Sequence, residues 1–141
     1  MNRSATVLAL LAIALSVPGC GGRCEPAVSD GWVRSGPPSM PMLAGFGTIE
    51  NDCDLPLAIT GASSPAFGDV SVHETTQVDG ISRMRAVPEL VVPAGEARML
   101  APGGLHLMLA DPRVPLAPGE TVVVDFALRD GGTLRGEFEV R

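Results

Sequence analysis

Two histidines and two methionines stand at fixed intervals in this sequence and combine nitrogen and sulfur donors. They are His73, Met84, His106 and Met108, and the chain has no other histidine. Ten residues lie between the first two, twenty-one between the middle two and one between the last two. Imidazole and thioether are soft, uncharged ligands that suit copper(I) better than calcium, magnesium or manganese. The pattern therefore indicates a site for a soft metal ion.

The residues around these donors alternate as a strand with one buried face must. Residues 105–109 place three leucines on one face and His106 and Met108 on the other. The same alternation puts Met84 opposite its flanking arginines and His73 opposite the neighbouring valines. The four donors are thus expected on strand faces that point away from the core.

A structural interpretation competes with the metal site. A lone methionine in a strand usually packs in the core, and a lone histidine is usually a surface or hydrogen-bonding group. Each of the four residues taken singly favours that interpretation. Independent core methionines, however, have no reason to recur beside both histidines of the chain, so the set as a whole favours metal binding.

The segment from His73 to Leu109 closely resembles the bacterial periplasmic copper(I) chaperone family called PCuAC, whose signature is H-x10-M-x21-H-x-M. Residues 29–34, Ser-Asp-Gly-Trp-Val-Arg, resemble the opening strand of that family, and the resemblance runs from about Val28 to the C-terminus. It departs from many members at Glu74, where they carry a second methionine. The resemblance implies an all-β, cupredoxin-like sandwich or barrel in which the four donors bind one Cu(I).

The resemblance also implies delivery of copper to an acceptor, such as a cytochrome c oxidase subunit or a Sco-type protein. Thioether ligands suit this role outside the cytoplasm, because thiolates would be oxidised there. A periplasmic copper buffer or resistance protein remains the alternative, and a metal-free β-sandwich interaction domain is a weaker one. Two imidazoles are few for a copper redox enzyme, and a blue-copper carrier needs a cysteine thiolate in the site. We therefore expect a carrier and not an enzyme.

Composition limits the other functions. The 141 residues are enough for one domain, and the formal net charge is −6. All ten basic residues are arginine, so lysine chemistry such as Schiff-base formation is excluded. The absence of a basic cluster argues against a nucleic-acid partner. We expect a monomer.

The N-terminus is typical of an export signal, with Arg3 ahead of an apolar run from Val7 to Val17. The sequence Val-Pro-Gly-Cys at 17–20 resembles a bacterial lipobox, in which Cys20 would be acylated. Simple cleavage, or a structural role for this cysteine, is the alternative. We expect a signal peptide at 1–19, a lipidated cysteine and tether at 20–28, and the copper-binding domain at 29–141. The protein would then be a periplasmic lipoprotein that touches the membrane through its lipid alone.

Two cysteines remain if Cys20 carries lipid. Cys24 and Cys53 would lie in an oxidising compartment, where disulfides form and persist. A structural bridge between them is our first expectation. A copper-binding or redox role is the alternative, although neither cysteine is close in sequence to the histidines and the chain has no C-x-x-C.

The mature chain shows no helical period and instead shows short apolar or alternating runs separated by Gly/Pro turns. Ten strands are predicted, at 31–34, 43–50, 57–61, 68–75, 82–86, 89–92, 97–100, 104–110, 121–128 and 133–140. Such a succession is typical of a β-sandwich or barrel. The last two runs form a hairpin that carries no candidate chemistry.

A proline-rich loop at 35–42 holds two further thioethers, Met40 and Met42. They are possible auxiliary copper ligands or part of a docking surface. The interpretation that the sequence favours is an ordinary surface loop that covers one end of the sheet. Trp32, just before this loop, is expected to anchor the core.

Overall fold

The structure is a computed structural model that describes residues 24–141, so the predicted signal peptide and Cys20 lie outside the described residues. Ten strands follow one another along the chain, as the sequence predicts. They are β1 Ala27–Arg34, β2 Met42–Asn51, β3 Leu57–Ser63, β4 Phe67–Val78, β5 Ile81–Ala86, β6 Leu90–Val92, β7 Glu96–Leu100, β8 Leu105–Pro112, β9 Thr121–Leu128 and β10 Thr133–Val140. The first strand begins at Ala27, ahead of the predicted domain start at residue 29. Residues 24–141 contain no helix that is long and apolar enough to cross a membrane.

Seven of these strands close into a barrel in the order β4, β8, β2, β1, β10, β9, β3. The ring closes where β3 meets β4, through the pair Ala62 and Val70. Strands β5, β6 and β7 lie outside the ring and pair with β4, β3 and β2. The predicted all-β fold is therefore confirmed, and its form is a closed barrel.

The barrel encloses one hydrophobic core that the alternating strands supply. Phe126 of β9 and Phe138 of β10 are fully buried, and they lie with their rings 6.4 Å apart between centroids. The predicted terminal hairpin is present, with β9 and β10 antiparallel. β10 also pairs in parallel with β1 at Trp32 and Val33, so the first and last strands are neighbours in the barrel.

Two glycines allow β1 to lie close to β10 on one side and to β2 on the other. A Cβ at Gly31 would lie 2.3 Å from the carbonyl oxygen of Glu137, and one at Gly47 would lie 3.1 Å from the Cα of Gly31. Gly47 also has a φ of +156°, which side-chain-bearing residues rarely adopt. At this point β2 changes partner, because residues 42–45 pair with β8 and residues 47–51 pair with β7. The first half of β2 is thereby placed beside β8.

The other end of β2 is held by a buried asparagine and a disulfide. The Asn51 side-chain amide donates hydrogen bonds to the carbonyls of Leu55 at 2.9 Å and Val92 at 3.0 Å. Its side-chain oxygen accepts a hydrogen bond from the backbone N–H of Cys53. Cys53 is joined to Cys24 in a disulfide, with the two Cα atoms 5.3 Å apart. The bridge that the sequence predicts therefore ties the chain ahead of β1 to the turn after β2.

We expect the double variant Cys24→Ser/Cys53→Ser to fold with a lower free energy of unfolding than the oxidised protein. The bridge closes a loop with a sequence separation of 29, and in the chain-entropy treatment a loop of this size contributes on the order of 3 kcal/mol. Urea unfolding followed by circular dichroism measures the difference. The reduced wild-type protein is the control and should unfold with the variant. Equal midpoints for the variant and the oxidised wild type would contradict the prediction.

Candidate metal centre

Strand register brings the four predicted donors onto one outer face of the barrel. His73 of β4 lies directly opposite His106 of β8. Met84 of β5 lies opposite Thr75, two residues along β4 from His73. Met108 lies two residues along β8 from His106. Since cross-strand partners and alternate residues share a face, all four side chains project from the same side of β5, β4 and β8.

The inner face of the same strands explains this arrangement. Leu107 and Leu109 are fully buried in the core, together with Val70 and Val72 of β4. Period-two alternation then forces the histidines and Met108 outward, where they are only partly buried. The predicted division between a leucine face and a donor face is therefore present in the structure.

Three of the donors surround one concavity. The His106 Nε2 atom lies 3.3 Å from the Met84 sulfur, and Met108 lines the same concavity. The His73 and His106 ring centroids are 6.1 Å apart. Two donors bound to one ion at about 2.0–2.3 Å lie roughly 3.5 Å from each other. The His106 and Met84 donors are thus already at the separation that a shared ion requires.

The ring of His106 is held in one tautomer. Its Nδ1 lies 3.0 Å from the carbonyl oxygen of Gly104. A carbonyl only accepts hydrogen bonds, so Nδ1 carries the proton and donates it. The lone pair is consequently on Nε2, the nitrogen beside Met84. A backbone carbonyl that fixes a ring in this way is the usual support of a metal-binding histidine.

His73 has one nitrogen without a protein partner. Its Nε2 lies 3.1 Å from the Ser71 hydroxyl. Its Nδ1 is buried and finds no hydrogen-bond partner within residues 24–141. A buried polar atom that lacks a partner carries a desolvation cost, and a bound metal ion would supply the missing partner. The side chains at this site therefore fit a soft metal ion.

The pKa of His73 lies below its ordinary value of 6.5. Burial of the ring is the main cause, and the nearby His106 adds charge repulsion, while Asp69 acts weakly in the opposite direction. The imidazole of His73 is consequently neutral at neutral pH. A metal ion would not have to displace a proton from it.

Glu74 stands where many PCuAC sequences carry a methionine, but its side chain points away from this site. As the next residue after His73, it occupies the opposite face of β4. Its carboxylate accepts hydrogen bonds from the Arg85 guanidinium, at 3.1 Å from Nε and 2.5 Å from Nη2. Glu74 therefore ties β5 to β4 and supplies no donor to the candidate centre.

The proline-rich loop at 35–42 lies beside the candidate centre. Met40 and Met42 line the same concavity as Met84, His106 and Met108, and its volume is about 300 Å³. The favoured interpretation, an ordinary surface loop, did not place them there, whereas the alternative of auxiliary ligands or a docking surface did. The alternation of Met42 and Ala44 along β2 was the signal available, but only the pairing of β2 with β8 reveals its meaning.

Trp32 also differs from its prediction as a core anchor. It is half-buried, and its ring lies 4.6 Å from that of Phe46 on the outer side of β1 and β2. The Arg34 guanidinium lies over both rings, 5.8 Å from the centroid of Trp32 and 5.3 Å from that of Phe46. Arg34 lines the concavity as well, so a positively charged side chain lies beside the candidate donors.

The disulfide lies near Asn51, at the end of β2 opposite to Met42. Residues 24–141 contain no group of three or more His, Cys, Asp or Glu side chains placed to hold a metal ion.

Comparison with known sequences relates this chain to lipoproteins. A family model described as "Putative lipoprotein LpqE-like" matches residues 26–140. A relative from Leifsonia xyli subsp. xyli, named "Putative lipoprotein Lxx21020", is 35% identical over 107 residues, which are 75% of this chain and 63% of the relative. The chain thus spans less than two thirds of the length of that relative.

Comparison with solved structures identifies the fold. The solution structure of CuI-DR1885 from Deinococcus radiodurans has a TM-score of 0.66 and 32% identity, and the match covers 86% of this chain and 83% of that one. The copper-bound PCuAC domain from PmoF2 has a TM-score of 0.65 and 18% identity, with 81% and 90% covered. These likenesses confirm the predicted cupredoxin-like fold.

In the metal-free protein we expect His73 to titrate below pH 6.5, because burial and His106 both disfavour the imidazolium. Below that pH the unfolded state binds more protons than the folded state, so this histidine lowers stability as the pH falls from about 6.5 to its folded pKa. Above pH 6.5 it adds no pH dependence. NMR titration of the ring signals measures the midpoint. His106→Ala is the control and should raise it only partly, and a wild-type midpoint at 6.5 or higher would contradict the prediction.

Proposed function

The chain belongs to the LpqE-like family of lipoproteins, and on that premise we propose that it binds copper(I) outside the cytoplasm and passes it to an acceptor protein. The observation that carries this proposal is the contact of His106 Nε2 with the Met84 sulfur at 3.3 Å, on a face that also holds His73 and Met108. The fold is shared with a protein solved in its copper(I) form at 32% identity. The membership in the PCuAC family that the sequence predicts is confirmed.

Copper(I) is the cargo, and the four predicted donors are its proposed ligands. His106 binds through Nε2, His73 through a ring nitrogen, and Met84 and Met108 through sulfur. All four bind as neutral ligands, so the positive charge of the ion is left uncompensated. An acceptor that offers thiolate or more imidazole ligands then draws the ion away downhill.

The position of Met84 supports a carrier and not a store. Its side chain is 55% exposed, and every residue of β5 is exposed. An incoming ligand of an acceptor can therefore reach the ion from the solvent side, so copper moves by exchange of one ligand at a time. The chain has two histidines in all, which are few for copper redox catalysis. We propose that the protein is not an enzyme.

We propose that Cys20 is acylated and that the short segment between Cys20 and Cys24 holds the domain near a membrane on the periplasmic side, as a monomer. The tether predicted at 20–28 is too long, because Cys24 is bonded to Cys53 and β1 begins at Ala27. Membership in a lipoprotein family supports the anchor. Tethering raises the effective concentration of the carrier at an acceptor in the same membrane. The acceptor that we propose is a subunit of cytochrome c oxidase or a Sco-type protein, because the resemblance to the chaperone family implies it.

His106→Ala and Met108→Leu should each weaken copper(I) binding by about a hundredfold or more, since loss of a direct ligand costs at least as much as loss of its supports. Competition against a chromophoric copper(I) chelator without oxygen measures the affinity. Both side chains lie on the outer face, so circular dichroism should show an unchanged fold. Met99→Leu is the matched control, because Met99 is also exposed but lies on β7. Wild-type affinity in both site variants would sink the ligand assignment.

Deletion of the gene should lower cytochrome c oxidase activity when copper is scarce, and added copper should restore it, because a chaperone changes supply and not chemistry. Oxygen consumption by membranes from cells grown at low and high copper is the measurement. A Cys20→Ala form is the control for the anchor, and it should leave the membrane fraction and complement poorly. An oxidase defect that persists after copper is added would contradict copper delivery. Sensitivity to excess copper alone would point to a buffer instead.

A further inference from the structure

The thioethers of this protein are concentrated in one place. The chain has six methionines, and five of them lie in the described residues because Met1 does not. Four of these five line the single concavity beside His106, namely Met40, Met42, Met84 and Met108. The proposed copper ligands account for only two of the four. The other two require an explanation of their own.

Met42 is placed by the register between β2 and β8. Ala44 lies directly opposite Met108, and Met42 lies opposite Ala110. Met42 and Met108 are therefore diagonal neighbours on the same face, with roughly 7–8 Å between their Cα atoms. Because a methionine side chain has three rotatable bonds, the two sulfurs can reach a common ion.

Met40 is placed by the turn ahead of β2. Its backbone N–H donates a hydrogen bond to the carbonyl of Pro37 at 2.8 Å, and the N–H of Asp111 donates to the carbonyl of Pro41 at 2.9 Å. The loop is thus tied to the end of β8. Gly36 leaves room for the side chain, because a Cβ there would lie 2.7 Å from the Met40 sulfur.

Packing does not explain these two side chains. Met40 is 42% exposed and Met42 is 44% exposed, so neither fills the core. Ala44, which lies between Met42 and Phe46 along β2, also lines the concavity. Met40 and Met42 therefore lie outside the core and line the concavity beside the candidate metal centre.

We propose that Met40 and Met42, together with Met108, form a second and weaker copper(I) position through which the ion leaves the histidine site. The inference rests on the proposed function. In the transfer the bonds from copper to His73, His106 and Met84 break as bonds to the Met40 and Met42 sulfurs form, while Met108 keeps its bond. Copper stays monovalent, no proton moves, and the exchange needs no other reactant.

The surroundings favour transit over storage at this position. Three thioethers lack the stronger imidazole donors of the first site. The Arg34 guanidinium, which lines the same concavity, repels a cation held there. A weak position beside a stronger one lowers the barrier to release without competing for the resting ion.

The test is a copper(I) titration of the full chain without oxygen, followed by NMR of methionine methyl groups labelled with carbon-13. Single Met→Leu variants assign the signals. The first equivalent should shift Met84 and Met108. The second equivalent finds Met108 already bound, so it should bind more weakly through the Met40 and Met42 sulfurs and shift their signals while Met99 stays in place. In His106→Ala, where the first site is damaged, the first equivalent should already shift Met40 and Met42.

The double variant Met40→Leu/Met42→Leu keeps the apolar surface and removes only the sulfurs. It should lose the second equivalent and hold the first within about threefold of the wild-type affinity, since its four ligands are intact. If the Met40 and Met42 signals remain unshifted throughout, as the Met99 signal does, the second position is wrong and the two side chains fit an apolar docking rim. Shifts of the Met84 and Met108 signals in the same titration would still support the proposed function. If Met84 and Met108 also fail to shift, the proposed function itself fails.

Discussion

The candidate centre depends on the register between β4 and β8. This pairing runs from Phe67 opposite Pro112 to Glu74 opposite Leu105, and it sets His73 against His106. A slip of one residue would turn the side chains of a strand to the other face, so His106 would enter the core and a leucine would replace it outside. Burial of Leu107 and Leu109 makes that slip costly. The hydrophobic core thereby holds the donors in place although it contains none of them.

The contacts that fasten β2 and the candidate centre lie at opposite ends of this strand. At one end Asn51 and the disulfide at Cys53 fasten the turn and the segment ahead of β1. At the other end Met42 and Ala44 pair with β8 beside the candidate centre. Gly47 marks the point between them where the strand changes partner. Substitutions at the outer face can therefore alter the ligands while the disulfide end remains intact.

Local patterns predicted much of this structure, because alternation reveals which face of a strand is buried. Residues 105–109 alone indicated both β8 and the outward direction of His106 and Met108, and every predicted strand is present. Alternation does not reveal which strands are neighbours. The return of the loop at 35–42 to the site, the outer-face position of Trp32 and the closure of the barrel through Ala62 and Val70 all depend on pairings between distant segments. A single sequence carries no direct signal for those.

The four proposed ligands do not all stand on strands of the closed ring. His73, His106 and Met108 stand on strands of the closed ring, whereas Met84 stands on β5, an edge strand whose six pairs all go to β4. Loss of the pairs between β5 and β4 would withdraw Met84 while the seven strands of the ring keep their hydrogen bonds. The candidate centre could thus lose one of its four proposed ligands without opening the barrel.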